Sequence, residues 1–138
     1  MESEKLRDVI IDQAKYFLQN AGEFYPFGAM LSVAGSVVPI GVQMENDHPK
    51  PQEVIEILEN TVIEKLKSRG EAKLAGIGTD VYYVPVGQTE KKSAIQIRIL
   101  HTNGESVDYY LTYRKVAEKF IYEELITEKG TLNFLKMV

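Results

Sequence analysis

Two histidines, no cysteine and one short glycine repeat set the limits of the chemistry that this 138-residue chain offers. Without cysteine there is no thiolate nucleophile, no thiolate metal ligand and no disulfide. His48 stands beside Asp47 in a proline-containing stretch, and His101 closes an apolar run just before Asn103-Gly104. Neither has a second histidine at the spacing that puts two imidazoles on one helix face. Both are therefore expected to be solvated residues, and no metal is expected. Ser106 and Asp108 lie close to His101 in sequence and complete the residue types of a hydrolytic triad. A serine nucleophile, however, sits on a strained elbow, whereas Ser and Asp beside a hairpin serve its local hydrogen bonds. No hydrolytic activity is expected.

Gly76-Ile77-Gly78-Thr79-Asp80 has two of the glycines of a phosphate loop but neither its lysine nor a following helix. Glycines inside a strand pattern mark instead a bulge or a close approach of backbone. Asp80 is expected as a solvated edge residue, and it is the residue to name if the chain holds a catalytic acid. Successive strand residues point to opposite faces, so Tyr82 shares its face and Tyr83 does not. Asp80, Tyr82, Arg98 and His101 form the alternative site: an aromatic-lined pocket of a small enzyme or ligand sensor. No cofactor is expected.

Net charge narrows the partners. The total is −4, and residues 1–70 carry the whole excess, with 7 Lys/Arg against 11 Asp/Glu. A phosphate backbone would be repelled on average, and no cluster of basic and aromatic residues offsets this, so no nucleic-acid partner is expected. No run of eighteen apolar residues is present for a membrane span, and the mixed-charge start Met1-Glu2-Ser3-Glu4-Lys5 is unlike a signal peptide. A cytoplasmic protein without membrane contact is the expectation.

The elements that must position these residues read as a single α+β domain over residues 1–138. Leu6, Ile10, Phe17 and Ala21 repeat at helical spacing between a Ser3 cap and Gly22. Val54, Leu58, Val62 and Leu66 do so from Pro51 to Ser68, with Glu53, Glu56 and Glu59 early and Lys65, Lys67 and Arg69 late, an order that complements the helix dipole. Between the helices, Glu23-Phe24-Tyr25-Pro26-Phe27-Gly28 either wedges the first helix against a sheet or lines a surface groove. Strands follow at 29–33 and 37–44. Pro39, which lacks a donor, places the second of these at an edge or a bulge. The firmest prediction is a three-stranded antiparallel meander from Ala72 to Tyr113, turned at Asn103-Gly104. Residues 114–127 read as a helix through Val116, Phe120 and Ile121, although Phe120, Tyr122, Glu124 and Ile126 also alternate as a strand would. An apolar tail from Leu132 to Val138 ends the chain.

The sum is an antiparallel sheet of about five strands covered by helices, in the order α-β-β-α-β-β-β-α. That order resembles the profilin-like and roadblock/longin class of small domains, which implies a scaffold, a dimerising module or a ligand sensor. The meander is rich in tyrosine, and tyrosine favours interfaces because its ring gains contact area while its hydroxyl stays hydrogen-bonded. The expected function is therefore a protein–protein interaction or scaffold module without catalytic activity. It is expected to form a homodimer or to bind a protein partner through Leu58, Tyr83, Tyr110 and Phe134.

Overall fold

The structure, a computed structural model, describes residues 2–41, 48–68 and 70–134. Eight elements follow one another: α1 (Glu2–Ala21), β1 (Phe27–Ser32), β2 (Val37–Ile40), α2 (Pro51–Lys67), β3 (Ala72–Tyr83), β4 (Lys92–His101), β5 (Ser106–Val116) and β6 (Lys119–Lys129). The six strands form one antiparallel sheet in the spatial order β2-β1-β3-β4-β5-β6.

The two helices cover opposite faces of this sheet, and strand parity separates their cores. Leu6, Ile10, Ile11, Ala14 and Leu18 of α1 pack with Leu74, Ile95, Ile97, Ile99, Tyr109, Leu111 and Tyr113. Val54, Leu58, Val62, Ile63 and Leu66 of α2 pack with Ala75, Ile77 and Leu100, the alternate residues of the same strands. On β4 the α1 face presents Ile95, Ile97 and Ile99 between Ser93 and His101, whereas the α2 face reads Ala94, Gln96, Arg98, Leu100. The middle of the α1 face of the central strands thus belongs to core, while Tyr82 at the end of β3 is exposed. The other face turns polar away from α2.

Local chemistry explains the helix ends. The Glu53 carboxylate accepts from the backbone N–H of Lys50 at 3.3 Å. Lysine has no acceptor to return the bond, so Pro51 at the helix start and the acid-to-base order along α2 complete its signals. Ser3, expected as a cap, lies inside the first turn of α1 instead. Gly22 ends that helix at φ +78°, donating its N–H to Leu18 O at 2.9 Å.

The sheet confirms the meander and extends it. Residues 114–127, expected in a helix, instead form the end of β5, a turn and most of β6, so six strands stand where about five were predicted and the terminal helix is gone. With it goes the element order on which the profilin-like and roadblock/longin resemblance leaned. Pro39 does lie on an edge strand, opposite Ala29. That strand ends at Ile40; its predicted continuation to Met44 falls outside the described residues from position 42 on. Gly76 and Gly78 carry no bulge, since the β3–β4 register runs without a shift. The bulges are at Leu31/Ser32 and at Leu111/Tyr113. Leu58 is 0 % exposed, so it belongs to the core and not to an outer contact face. No helix among the described residues is long and apolar enough to cross a membrane.

Candidate functional site

The Glu23–Gly28 string does both things its sequence allows. After Gly22 redirects the chain, the buried Pro26 fixes the loop's path. The rings of Phe24 and Phe27 close on Phe17 of α1. Phe27 meets Phe17 edge-on at 5.5 Å and Phe24 at 5.6 Å, while Phe17 and Phe24 stack at 6.3 Å. The Phe27 ring lies over Gly78 of β3, where a Cβ would be 2.9 Å from Cζ, and Ile10 of α1 comes as close at 2.8 Å. Here the glycine repeat has its explanation. Gly76 and Gly78 flatten β3 so that α1 and the aromatic loop can approach it.

Against this wedge opens a cavity of about 720 Å³, walled by Phe17, Phe24, Tyr25 and Phe27 with Ala21 and Glu23 at its side. Tyr25 is 57 % exposed and forms the outer wall. A smaller cavity of about 370 Å³ shares Phe17 and Phe27 and extends between α1 and the β1–β2 edge, past Gln13 and Pro39. Among the described residues, Glu23 is the only charged side chain in the wall of the larger cavity. Asp80 stands two residues beyond Gly78 on the same face of β3 and accepts a hydrogen bond from Tyr113 Oη at 2.6 Å. Burial raises the Asp80 carboxyl above the usual carboxylate range; the Tyr113 bond works against this and the Glu23 charge adds to it. The Tyr113 phenol is itself pushed up by burial and by Asp80. This region can hold an apolar body beside negative charge. No His, Ser or Thr is among its described lining residues.

A second polar group lies on the α2 face. Arg98 Nη2 donates to Glu59 Oε2 of α2 at 2.8 Å, and Arg98 Nε to Thr131 Oγ1 at 2.8 Å. Thr131 in turn donates its hydroxyl to Asp108 Oδ2 at 2.7 Å and its N–H to Asp108 Oδ1 at 3.2 Å. Burial raises the Asp108 carboxyl, while the Thr131 bonds and Arg98 act in the opposite sense. The chain Glu59–Arg98–Thr131–Asp108 ties the segment after β6 to the sheet and to α2, with Leu132 buried beside it. Its groups satisfy one another, so the cluster has a structural account. Among the described residues, no group of three His, Cys, Asp or Glu side chains is placed to hold a metal ion.

The residues singled out from sequence are not brought together. Asp80 faces α1, and Arg98 faces α2 through the thickness of the sheet. His101 is half-buried at the end of β4, its N–H donating to Glu105 O across the hairpin. Tyr82 is 76 % exposed, with the Lys91 ammonium 5.5 Å from its ring centre. The pocket around Asp80, Tyr82, Arg98 and His101 is therefore not formed: parity puts Arg98 on the other face of the sheet, and the register sets His101 opposite Leu74, six residues along β3 from Asp80. Of the four expected contact residues, Tyr83 and Tyr110 stack on each other at 4.2 Å. The Tyr83 hydroxyl donates to Glu128, and Gln96 Nε2 donates to the Tyr110 hydroxyl at 3.1 Å. Phe134 lies half-buried under the Lys67 ammonium at 6.0 Å. These rings are engaged within the chain. Phe17 and Glu23 were not singled out as site residues; the signal for Phe17 is that it lies in the last turn or so of α1, just before the aromatic loop. No protein-family model matches this chain, and comparison with characterised proteins and with solved structures finds no similar protein.

Proposed function

We propose that the protein is a non-catalytic binding module that takes a small ligand into the cavity between the end of α1 and the Glu23–Phe27 loop. One observation carries this reading: an aromatic-walled space of about 720 Å³ with a single carboxylate at its wall. Ligand sites have this size and make-up, mostly apolar with a few polar groups that fix orientation. The ligand-sensing alternative drawn from the sequence is kept in kind and moved in place, from Arg98 and His101 to Phe17, Phe24, Tyr25 and Phe27. The protein-partner reading has less support, since Leu58 is core and Tyr83 and Tyr110 contact each other.

A nitrogen-15 NMR screen with neutral, cationic and anionic aryl and branched-alkyl fragments tests the proposal. Saturable shifts are expected at the amides of Glu23, Phe24, Tyr25 and Phe27. Tyr25→Ala is expected to weaken the best fragment several-fold while stability changes by no more than about 0.5 kcal/mol, as for exposed side chains generally. Shifts confined to other surfaces, or none at all, would refute it.

A further inference from the structure

We infer that the ligand of this cavity is an organic cation: an ammonium group carried on an aryl or branched-alkyl body. The assignment presupposes the cavity as the binding site and adds the ligand's charge. Three features of different origin converge on it. Among the described residues Glu23 supplies the only formal charge in the wall, and its negative charge is felt at Asp80 as like-charge repulsion that helps raise that carboxyl. A bound cation relieves that repulsion; an anion adds to it. Next, Ala21 and Phe17, which line the cavity, belong to the C-terminal end of α1, whose last turn has no basic residue. Helix C-termini carry partial negative charge on their terminal carbonyls. Last, four aromatic rings line the space, and ring faces attract cations through their quadrupole. Elsewhere on this chain ammonium groups do lie over aromatic rings: Lys15 sits 4.5 Å from the centre of Tyr122, and Lys115 5.6 Å from that of Phe120. The rings at the cavity have no Lys or Arg among the lining residues to do the same. The apolar body follows from the wall, whose side chains apart from Glu23 and the Tyr25 hydroxyl are hydrocarbon.

A matched series on one skeleton separates charge from shape: phenethylammonium, 2-phenylethanol and phenylacetate, titrated into the whole chain with amide shifts as readout. The expected order of affinity is cation, then neutral, then anion. Glu23→Gln is expected to lower phenethylammonium affinity about three- to ten-fold, the range for one partly solvated charge contact plus its effect on Asp80. It should leave 2-phenylethanol unchanged, and the melting transition shows whether the variant folds as the parent does. If the neutral or anionic member binds as tightly as the cation, or if Glu23→Gln lowers all three alike, the charge assignment is overturned while the cavity stands as a site. If none of the three shifts the amides of residues 23–27, the cavity reading itself fails and the assignment falls with it.

Discussion

Gly78 shows what one missing methyl group does for this fold. A Cβ there would be 2.8 Å from Ile10 Cγ2 and 2.9 Å from Phe27 Cζ, both in the packed layer between α1 and the sheet. Overpacking of this sort costs about 1–3 kcal/mol. Gly78→Ala is accordingly expected to lower the unfolding free energy by that amount, read as a lower urea midpoint with the denaturant slope unchanged, since the area exposed on unfolding stays the same. An unchanged midpoint would mean that Phe27 swings aside freely and that the aromatic wedge is not rigid. Next to it, Thr79 faces the α2 side. Its Oγ1 is, among the described residues, the buried side-chain oxygen that lacks a hydrogen-bond partner. A glycine admits the helix and its neighbour leaves a hydroxyl unsatisfied, so this section of β3 is shaped by approach and not by side-chain bonding.

Among the elements, the β5–β6 hairpin carries the weakest local signals. Helical spacing of Val116, Phe120 and Ile121 competed with alternation through Phe120 and Tyr122, and no Gly or Asn marked a turn. The turn is made by Ala117 at φ +57°, the one non-glycine residue with positive φ among the described residues. The left-handed conformation costs an L-residue roughly 1–2 kcal/mol. Tertiary pairing over eleven-residue strands holds it: Tyr113 is opposite Tyr122 and Lys115 opposite Phe120. Ala117→Gly should therefore stabilise the protein, by about 0.5–1 kcal/mol after the added freedom of the unfolded chain is offset. A lower melting temperature in the variant would rule out positive φ at this position. β6 is also a sheet edge, and it has features that oppose strand addition. A bulge interrupts it opposite Thr112, whose hydroxyl bonds the Glu124 N–H at 3.1 Å, and Glu123 and Glu124 stand side by side at its middle.

For the whole molecule, half-burying Asp80 has a consequence for stability against pH. Its carboxyl is raised by burial, with Glu23 adding to the shift. The folded protein therefore binds that proton more readily than the unfolded chain does. Stability linked to this group falls as pH rises through the raised value and is fully regained below the ordinary carboxylate range, near pH 4 by the usual values, about 3.9 for Asp. That is the reverse of a salt-bridged carboxylate. Asp80→Asn, which keeps an acceptor for Tyr113, is expected to melt higher than the parent at neutral pH, with the gap closing as pH approaches about 4. A variant less stable at neutral pH would show that the charged Tyr113–Asp80 bond outweighs burial.

What the sequence determined by itself were the local things. Periodicity gave two helices close to their observed bounds, Asn103-Gly104 gave the hairpin, and Pro39 marked an edge. It also supplied the aromatic string, with both of its roles in view, because proline, glycine and three rings in six residues restrict the backbone wherever they stand. Tertiary structure decided the rest. Whether Leu58 was core or contact depended on which face of the sheet α2 would cover, and a helix stripe is equally apolar in either case. Residues 114–127 became a strand because β5 offered a partner across the Ala117 turn, and a non-local hydrogen-bond ladder outweighs weak local preference. Asp80 and Arg98 were separated because register placed them on opposite sides of one sheet. The cavity is tertiary in origin too. Phe17 and the Glu23–Phe27 loop are separated by a helix end, and only the approach permitted by Gly76 and Gly78 brings their rings to one wall.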